Sequence, residues 1–531
     1  MRRSAGSTID PGVFWISLAI SILFILWGVF FTDNLAAVAS AALGWLIASF
    51  GWVFILASFG FLGFAIFLAF SRYGRIRLGG DDEEPEFRTA SWVAMMFSAG
   101  MGIGLMFYGV AEPISHLTAP PHGLAKAGTE NAAEVAMEYS YFHWAFHPWA
   151  MYAVVGLAIA YFTFRKGGPN LISAAFRPLL GDRVDGAAGK TIDILAIFAT
   201  LFGSATSLGL GALQINGGLN YVWDVPNTVP VAIIIIAVLT GAFVVSAVSG
   251  VHRGIQWLSN TNMVLAIILV LFLFVLGPTV FILNTFVESL GGYLANLVPM
   301  SFRSGAFSSD SWLATWTIFY WAWWISWTPF VGTFIARISR GRTIREFVVG
   351  VLLIPSVVSF VWFAVLGGTA INLELRGVGN IADAVGQGPE VALFATLNQF
   401  PLAAVMSLLA VVLVALFFIS GADAASVVMG MLSSRGVLNP GGLIVVVWGV
   451  LTGAAAAICL LAGGLEGLQT AAIISAAPFV LVMIGLCWST FKELRSESLP
   501  GMAPEPERAA SRPTGAPAPQ QSRALDPDSG G

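Results

Sequence analysis

Apolar runs of about 20 residues recur along this chain, each long enough to cross the hydrocarbon core of a bilayer. They fall near 12–32, 50–71, 91–112, 140–164, 191–217, 229–249, 259–282, 311–336, 346–369, 401–432, 441–462 and 468–490, which predicts twelve crossings. Backbone groups inside a bilayer must satisfy one another, so runs of this length are expected as helices. The 531 residues are 57% hydrophobic and only 10% charged, more apolar surface than one soluble core can bury. An all-α polytopic membrane protein is therefore expected. The first run is long for a signal peptide and has no small-residue cleavage site, so it counts as a crossing.

Positive residues test this assignment, because they collect in short loops on the cytoplasmic side. With the N-terminus inside, the even-numbered junctions and both termini hold 22 of the 25 Lys and Arg residues. Only Lys126, Arg303 and Arg376 are left outside, and none is left within a span. Both termini are expected in the cytoplasm, with the spans in the cell (inner) membrane. A net charge of −4 with dispersed basic residues gives no nucleic-acid footprint. Cys459 and Cys487 lie in the last two spans and read as packing residues.

The eighth span, WLATWTIFYWAWWISWTPFVGTF at 312–334, holds six of the 18 tryptophans. At about 100° per residue, Trp323, Trp324 and Trp327 fall within an arc of about 100° on one helix face. Tryptophan also marks the headgroup belt, but clustering on one face through the span favours a ligand box. Ring faces that exclude water suit a quaternary ammonium, whose diffuse charge is weakly hydrated. Ser326, Thr328 and Pro329 are expected to interrupt the helix and free carbonyls near residues 325 and 326.

The third span carries Gly100, Gly102, Gly104 and Gly109. Glycines at every second position form no single helix face, so local unwinding is expected, with carbonyls at Ser98 and Met101 free for a cation. In the fourth, YFHWAFHPWAMY lets Trp144, Trp149 and Tyr152 face one cavity. His143 and His147 stand at metal-ligand spacing, but no HExxH or nearby carboxylate pair accompanies them. They read as a hydrogen-bonded interfacial or interhelical pair. Thr200 and Ser204 in the fifth span are either hydroxyl ligands or part of a closely packed face. Residues 284–300, with Phe286, Leu290, Tyr293, Leu294 and Leu297 at helical spacing, suggest an external amphipathic helix. Asp423, embedded in the tenth span, either caps a neighbouring helix end or handles protons or substrate.

Two interrupted spans, the third and the eighth, stand five apart, the pattern of an inverted repeat with a midplane site. No Walker motif is present, so a secondary transporter driven by an ion gradient or exchange is expected. Residues 1–11 read as a cytoplasmic N-terminus, 12–490 as the transporter domain, and 491–531, rich in Pro, Ala, Ser and Gly, as a disordered cytoplasmic tail.

GMGIG, HWAFHPWAMY, GSATSLGLGALQ and TWTIFYWAWWISWTPF resemble the betaine/choline/carnitine transporter family, a likeness covering roughly residues 10 to 490. The resemblance implies a LeuT-like fold of two inverted five-helix repeats, 91–282 and 311–490, after two extra helices in 12–71, commonly assembled as a homotrimer. It implies a cage of Trp144, Trp149, Tyr152, Trp323, Trp324 and Trp327, with Phe334 on the inner pathway. At the position of Gly104, members that take choline tend to carry aspartate. It also implies one sodium site from carbonyls of Ser98, Met101 and Phe417 with the Ser420 hydroxyl, and a second from Thr200, Ser204 and Phe330. Gly421 stands where a further hydroxyl ligand is usual. The tail is shorter and more balanced in charge than the long basic tails of osmotically regulated members. The function this implies is uptake of glycine betaine for osmoprotection by a sodium symporter, with sodium the one expected ion and no cofactor. Dimethylsulfoniopropionate, choline or carnitine as substrate, and proton coupling or exchange, are the alternatives. A membrane metalloenzyme at His143 and His147 would lack a third ligand and an acid/base partner.

Overall fold

The computed structural model describes residues 9–249, 252–307 and 311–497. The first eight residues and the tail beyond 497 lie outside the described residues. Among the described residues every regular element is helical, apart from one isolated bridge between Arg77 and Thr343. The helices are α1 (Pro11–Phe30), α2 (Thr32–Phe70), α3 (Thr89–Gly100), α4 (Ile103–Thr118), α5 (Glu130–Trp144), α6 (Phe146–Ala160), the short α7 (Arg177–Leu180), α8 (Ala187–Trp223), α9 (Val229–Ser249), α10 (His252–Leu276), α11 (Thr279–Ser301), α12 (Phe319–Ile338), α13 (Ile344–Leu375), the short α14 (Ile381–Gln387) and α15 (Ala392–Leu397), α16 (Ala403–Leu432) and α17 (Gly442–Arg495). Among the described residues, and with α5 and α6 taken as one run over Glu130–Arg165, eight helices are long and apolar enough to cross a membrane, or nine if α10 from Asn260 and α11 count as one broken span. The protein is thus a polytopic, all-helical membrane protein.

The third span breaks where its glycines predict. Met101 and Gly102 are extended between α3 and α4, so two shorter helices meet at this point. In α17, Gly463 and Gly464 leave helical geometry, Gly464 at φ 57°, a left-handed conformation that glycine adopts without a Cβ clash. The fourth span also has a joint, at Ala145 between α5 and α6.

The eighth span departs from expectation. It stays helical through Pro329, as α12, after a wide turn over Ala314–Ile318. Proline does remove the donor that Ile325 would use, but the Thr328 hydroxyl donates to the Ile325 carbonyl at 2.7 Å. The Ser326 hydroxyl likewise donates to the Trp323 carbonyl at 2.6 Å. The carbonyl expected to be free is therefore satisfied locally, and the helix continues.

The amphipathic helix is α11, longer than 284–300 and bent 109° from the end of α10. Tyr293 is fully buried, and Phe286, Leu290 and Leu297 pack on the core, whereas Leu294 points outward. Around the centre, α8 packs against α16 and α17, α12 against α6, and α13 against α4.

The segment after α2 is sewn to the turn before α13. Leu78 donates to the Arg342 carbonyl at 2.8 Å, Gly341 to that of Leu78 at 2.8 Å, and Ile344 to that of Ile76 at 2.9 Å. Arg77 adds a side-chain bond to the Gly341 carbonyl at 2.9 Å. Just past α17, Glu497 binds Arg165 at 2.6 Å and Lys166 at 2.8 Å. Burial alone would raise its pKa, but hydrogen bonds from Lys166, Tyr161 and Arg165 outweigh that and hold it at about 2.

Candidate substrate and ion sites

The six aromatic residues singled out as a cage come together beside the break between α3 and α4. With Gly100, Gly102 and Gly104 they border a cavity of about 50 Å³. Trp323 and Trp324 stack at 4.8 Å and 16°, and Trp144 meets Trp324 edge-on at 4.8 Å. Trp149 and Tyr152 form a second edge contact at 5.2 Å. Three indole N–H groups are tied down: Trp144 to a Glu112 oxygen at 2.7 Å, Trp324 to the His143 carbonyl at 2.9 Å, and Trp323 to the Gly203 carbonyl at 3.3 Å. Tethering the N–H edges fixes the rings in place around the cavity. The Trp327 N–H, by contrast, is buried without a partner.

Gly104 sits against this cage. A Cβ there would lie 2.7 Å from Trp144 Cη2 and 2.8 Å from Trp323 Cη2, so any side chain must displace a ring. The absence of a Cβ is what lets α4 approach the tryptophans.

An adjoining cavity of about 310 Å³ is bordered by Ser98, Met101, Phe417, Ser420, Gly421, Ser204, Phe330 and Phe334. The residues of both expected sodium sites therefore converge, with one exception. Thr200 does not border this cavity, and its hydroxyl donates to the Ala196 carbonyl at 2.8 Å. Trp327 borders both cavities and so stands between them. Phe334, 36% exposed, also borders a larger cavity of about 930 Å³ shared with Asp423, Arg337 and Asn439.

Two polar residues missed in the sequence belong to these sites. Asn262 borders the ion cavity, its Nδ2 3.4 Å from Ser420 Oγ and its Oδ1 buried without a partner. Beside it, a Cβ on Gly421 would meet nothing within 4 Å. Glu112, fully buried in α4, binds His143 Nδ1 at 2.6 Å. Together with His116 it gives His143 the further ligand-type neighbours that were expected to be lacking, and His147 is not among them. Both histidines are hydrogen-bonded between helices, as expected, each to partners of its own. His143 Nε2 lies 3.0 Å from Thr317 Oγ1, while His147 Nε2 lies 3.0 Å from Ser301 Oγ and its ring stacks on Trp321. Glu112 carries a signal in EPISH, where an acid and His116 stand four apart on one helix face. Asn262, one of two asparagines near the start of a span, carries none.

The sequence model of the betaine/carnitine/choline family of transporters matches residues 12–499. The chain is 50% identical to the glycine betaine transporter OpuD of Bacillus subtilis (strain 168) over 488 residues, 91% of this chain and 94% of that one. It is 44% identical to the ectoine/hydroxyectoine transporter of Virgibacillus pantothenticus over 491 residues, 92% and 97% of the two chains. It is 42% identical over 497 residues to the betaine/ectoine transporter LcoP of Corynebacterium glutamicum, 92% of this chain and 78% of that one. With its polytopic helical bundle and a family match over nearly its whole length, this chain belongs to the betaine/carnitine/choline transporter family, and is a membrane transporter rather than an enzyme.

Proposed function

We propose that the protein is a secondary transporter importing a zwitterionic quaternary-ammonium or sulfonium osmolyte, glycine betaine first, by alternating access. The observation that carries this is the aromatic cage at the α3–α4 break, with tethered rings and no charged side chain bordering it. Ring faces attract a desolvated onium group, and the unpartnered Trp327 N–H supplies the donor that a substrate carboxylate needs. The relatives named for glycine betaine support that choice. Those named for ectoine favour a second zwitterion as an additional substrate. The cage does not separate ammonium from sulfonium, so dimethylsulfoniopropionate stands close behind; choline and carnitine stand further off.

The ion cavity has donors of the type sodium takes. Carbonyls of Ser98, Met101 and Phe417 with the Ser420 hydroxyl would hold the ion, and the orphaned Asn262 Oδ1 would stand in for the hydroxyl absent at Gly421. Ser204 and Phe330 would serve a second ion, with Thr200 set back from it. Sodium would supply the driving gradient and bridge α3 to α16, so that filling the cavity orders the break beside the cage. Proton coupling or exchange is the alternative.

The same reading counts twelve crossings. To the eight long apolar helices are added the second half of α17 beyond Gly464, the broken α3–α4 pair, α10, and the span ending in α12. Two inverted repeats, 91–282 and 311–490, would follow the extra helices in 12–71. The chain would assemble as a homotrimer in the inner membrane, with both termini cytoplasmic.

Uptake of labelled betaine, choline, carnitine and dimethylsulfoniopropionate into proteoliposomes, with sodium and proton gradients imposed separately, tests substrate and coupling together. Betaine uptake driven by sodium alone is the expected result. Choline carried as efficiently as betaine, or uptake indifferent to sodium, would overturn the corresponding part.

A further inference from the structure

Glu112 does not border the cage cavity, yet it holds one of its walls. Its Oε2 accepts from the Trp144 indole N–H at 2.7 Å and from the Tyr320 hydroxyl. Its Oε1 lies 2.6 Å from His143 Nδ1 and 3.3 Å from His116 Nε2. All five side chains are buried, and no Lys or Arg is paired with Glu112 among the described residues. Donors from α4, α5 and α12 therefore converge on a single carboxylate, the arrangement that satisfies a buried anion.

The histidines do not neutralise it. His143 turns its second nitrogen to a threonine hydroxyl, which can donate to it. Neither nitrogen of His116 makes a well-aligned hydrogen bond, so a doubly protonated His116 would strand a buried N–H. With both rings neutral, an ionised Glu112 is the one charge of the cluster.

We propose that Glu112 is a positioning residue that gives the cage its preference for a cation without touching the substrate. An anionic oxygen on the indole N–H pushes electron density into the Trp144 ring and deepens the negative potential of its face. Tyr320, held by the same oxygen, stacks on Trp324 at 5.9 Å and 17° and passes the same bias to a second wall. The charge thus acts from behind an indole ring. There it attracts an ammonium in a low-dielectric site, yet stays out of contact with a substrate carboxylate. A carboxylate at Gly104 would have no such separation, because a Cβ there already touches two rings.

This inference rests on the quaternary-ammonium reading of the cage, and one comparison separates the two. Binding of glycine betaine and of tert-butylacetate, its carbon isostere with no positive charge, is measured by tryptophan fluorescence on the purified full-length protein. Glu112→Gln is expected to weaken betaine about tenfold and to leave the isostere within about twofold, because only the cation feels the ring potential. Equal loss of both ligands would reduce Glu112 to a structural brace and overturn the proposal. Glu112→Asp keeps the charge, so it carries the test if the glutamine variant does not fold. Its betaine-to-isostere ratio is expected to stay near wild type even where both affinities fall, and collapse of that ratio would overturn the proposal. Zinc bound at unit stoichiometry by the wild type through Glu112, His116 and His143, which lie close enough to hold an ion, would overturn it too. A wild type that binds neither compound would instead sink the quaternary-ammonium reading itself.

Discussion

Two spans looked alike in the sequence, and the protein treats them differently. The glycine-rich span opens at Met101 and Gly102, whereas the proline-bearing span runs on as α12. Both carry helix-breaking residues in an apolar setting. The difference lies in what takes over the backbone groups. In α12 the hydroxyls of Ser326 and Thr328 reach back to carbonyls of the same helix, so proline costs one hydrogen bond and gains a replacement. Glycines bring no side chain that could repair the ladder, and at the break the Met101 N–H turns back to the Ser98 carbonyl, which was expected to be free, at 3.3 Å. Opening a helix inside a membrane thus depends less on the breaker than on the polar groups within reach. The cage joins one span of each kind: α12 contributes rigid rings, and the break contributes backbone that comes close to them.

If α12 is the rigid partner, its rings should be the costliest to lose. Trp324→Leu keeps apolar volume but removes a ring face worth about 2 kcal/mol, so betaine affinity should fall roughly thirtyfold in a protein that still inserts. Isothermal titration giving wild-type affinity would remove Trp324 from the cage. Next in size is Gly104, on the broken side. The contacts of a Cβ with Trp144 and Trp323 imply overpacking of about 1–3 kcal/mol for any replacement. Gly104→Ala should therefore weaken betaine and choline alike. Gly104→Asp should add charge attraction and shift preference toward choline relative to the alanine variant. An aspartate variant with the alanine variant's selectivity would show that sterics alone operate there.

Gly102→Ala asks whether the break is held by glycine or by its surroundings. A Cβ at Gly102 meets nothing within 4 Å, so the change acts through helix propensity, about 1 kcal/mol. Transport should slow by about fivefold, with amide exchange slowed around the joint. Unaltered exchange and transport would mean that tertiary contacts, not glycine, keep the span open. The smallest effect belongs to Thr328→Val, which deletes the hydroxyl repairing α12. Loss of that bond should cost about 1 kcal/mol and lower the melting midpoint by a few degrees, with affinity within about twofold of wild type. A large loss of transport without loss of stability would make α12 a hinge after all and erase the contrast.

What could be read from the sequence follows the range of the forces involved. The cage was legible in part: helix geometry puts Trp323, Trp324 and Trp327 on one face, whereas Trp144 and Trp149 lie on α5 and α6, either side of the joint at Ala145, and reach the same cavity through tertiary packing. The break was legible for a local reason. The repair of α12 was not, because its outcome turns on two hydroxyl rotamers rather than on residue type. Glu112 was hidden by a boundary: the apolar run ends at residue 112, while the helix continues to Thr118 and takes the acid inside. Apart from His116, its partners are 31, 32 and 208 residues away. Thr200 met the spacing for a ligand, yet its hydroxyl serves its own helix, a choice that spacing does not encode.

The seam between the segment after α2 and the turn before α13 bears on how the protein is made. Arg77 and its partner Gly341 are 264 residues apart in the chain. At roughly 5–20 residues per second, a ribosome takes about 10–50 s to deliver the second after the first. During that interval the Ile76 and Leu78 carbonyls wait for Ile344 and Gly341, although Arg165 can already reach the carbonyls of Arg77 and Gly79. The first two helices can therefore pack against α6 and α8 before this seam exists, and synthesis interrupted anywhere before residue 341 leaves the seam itself open.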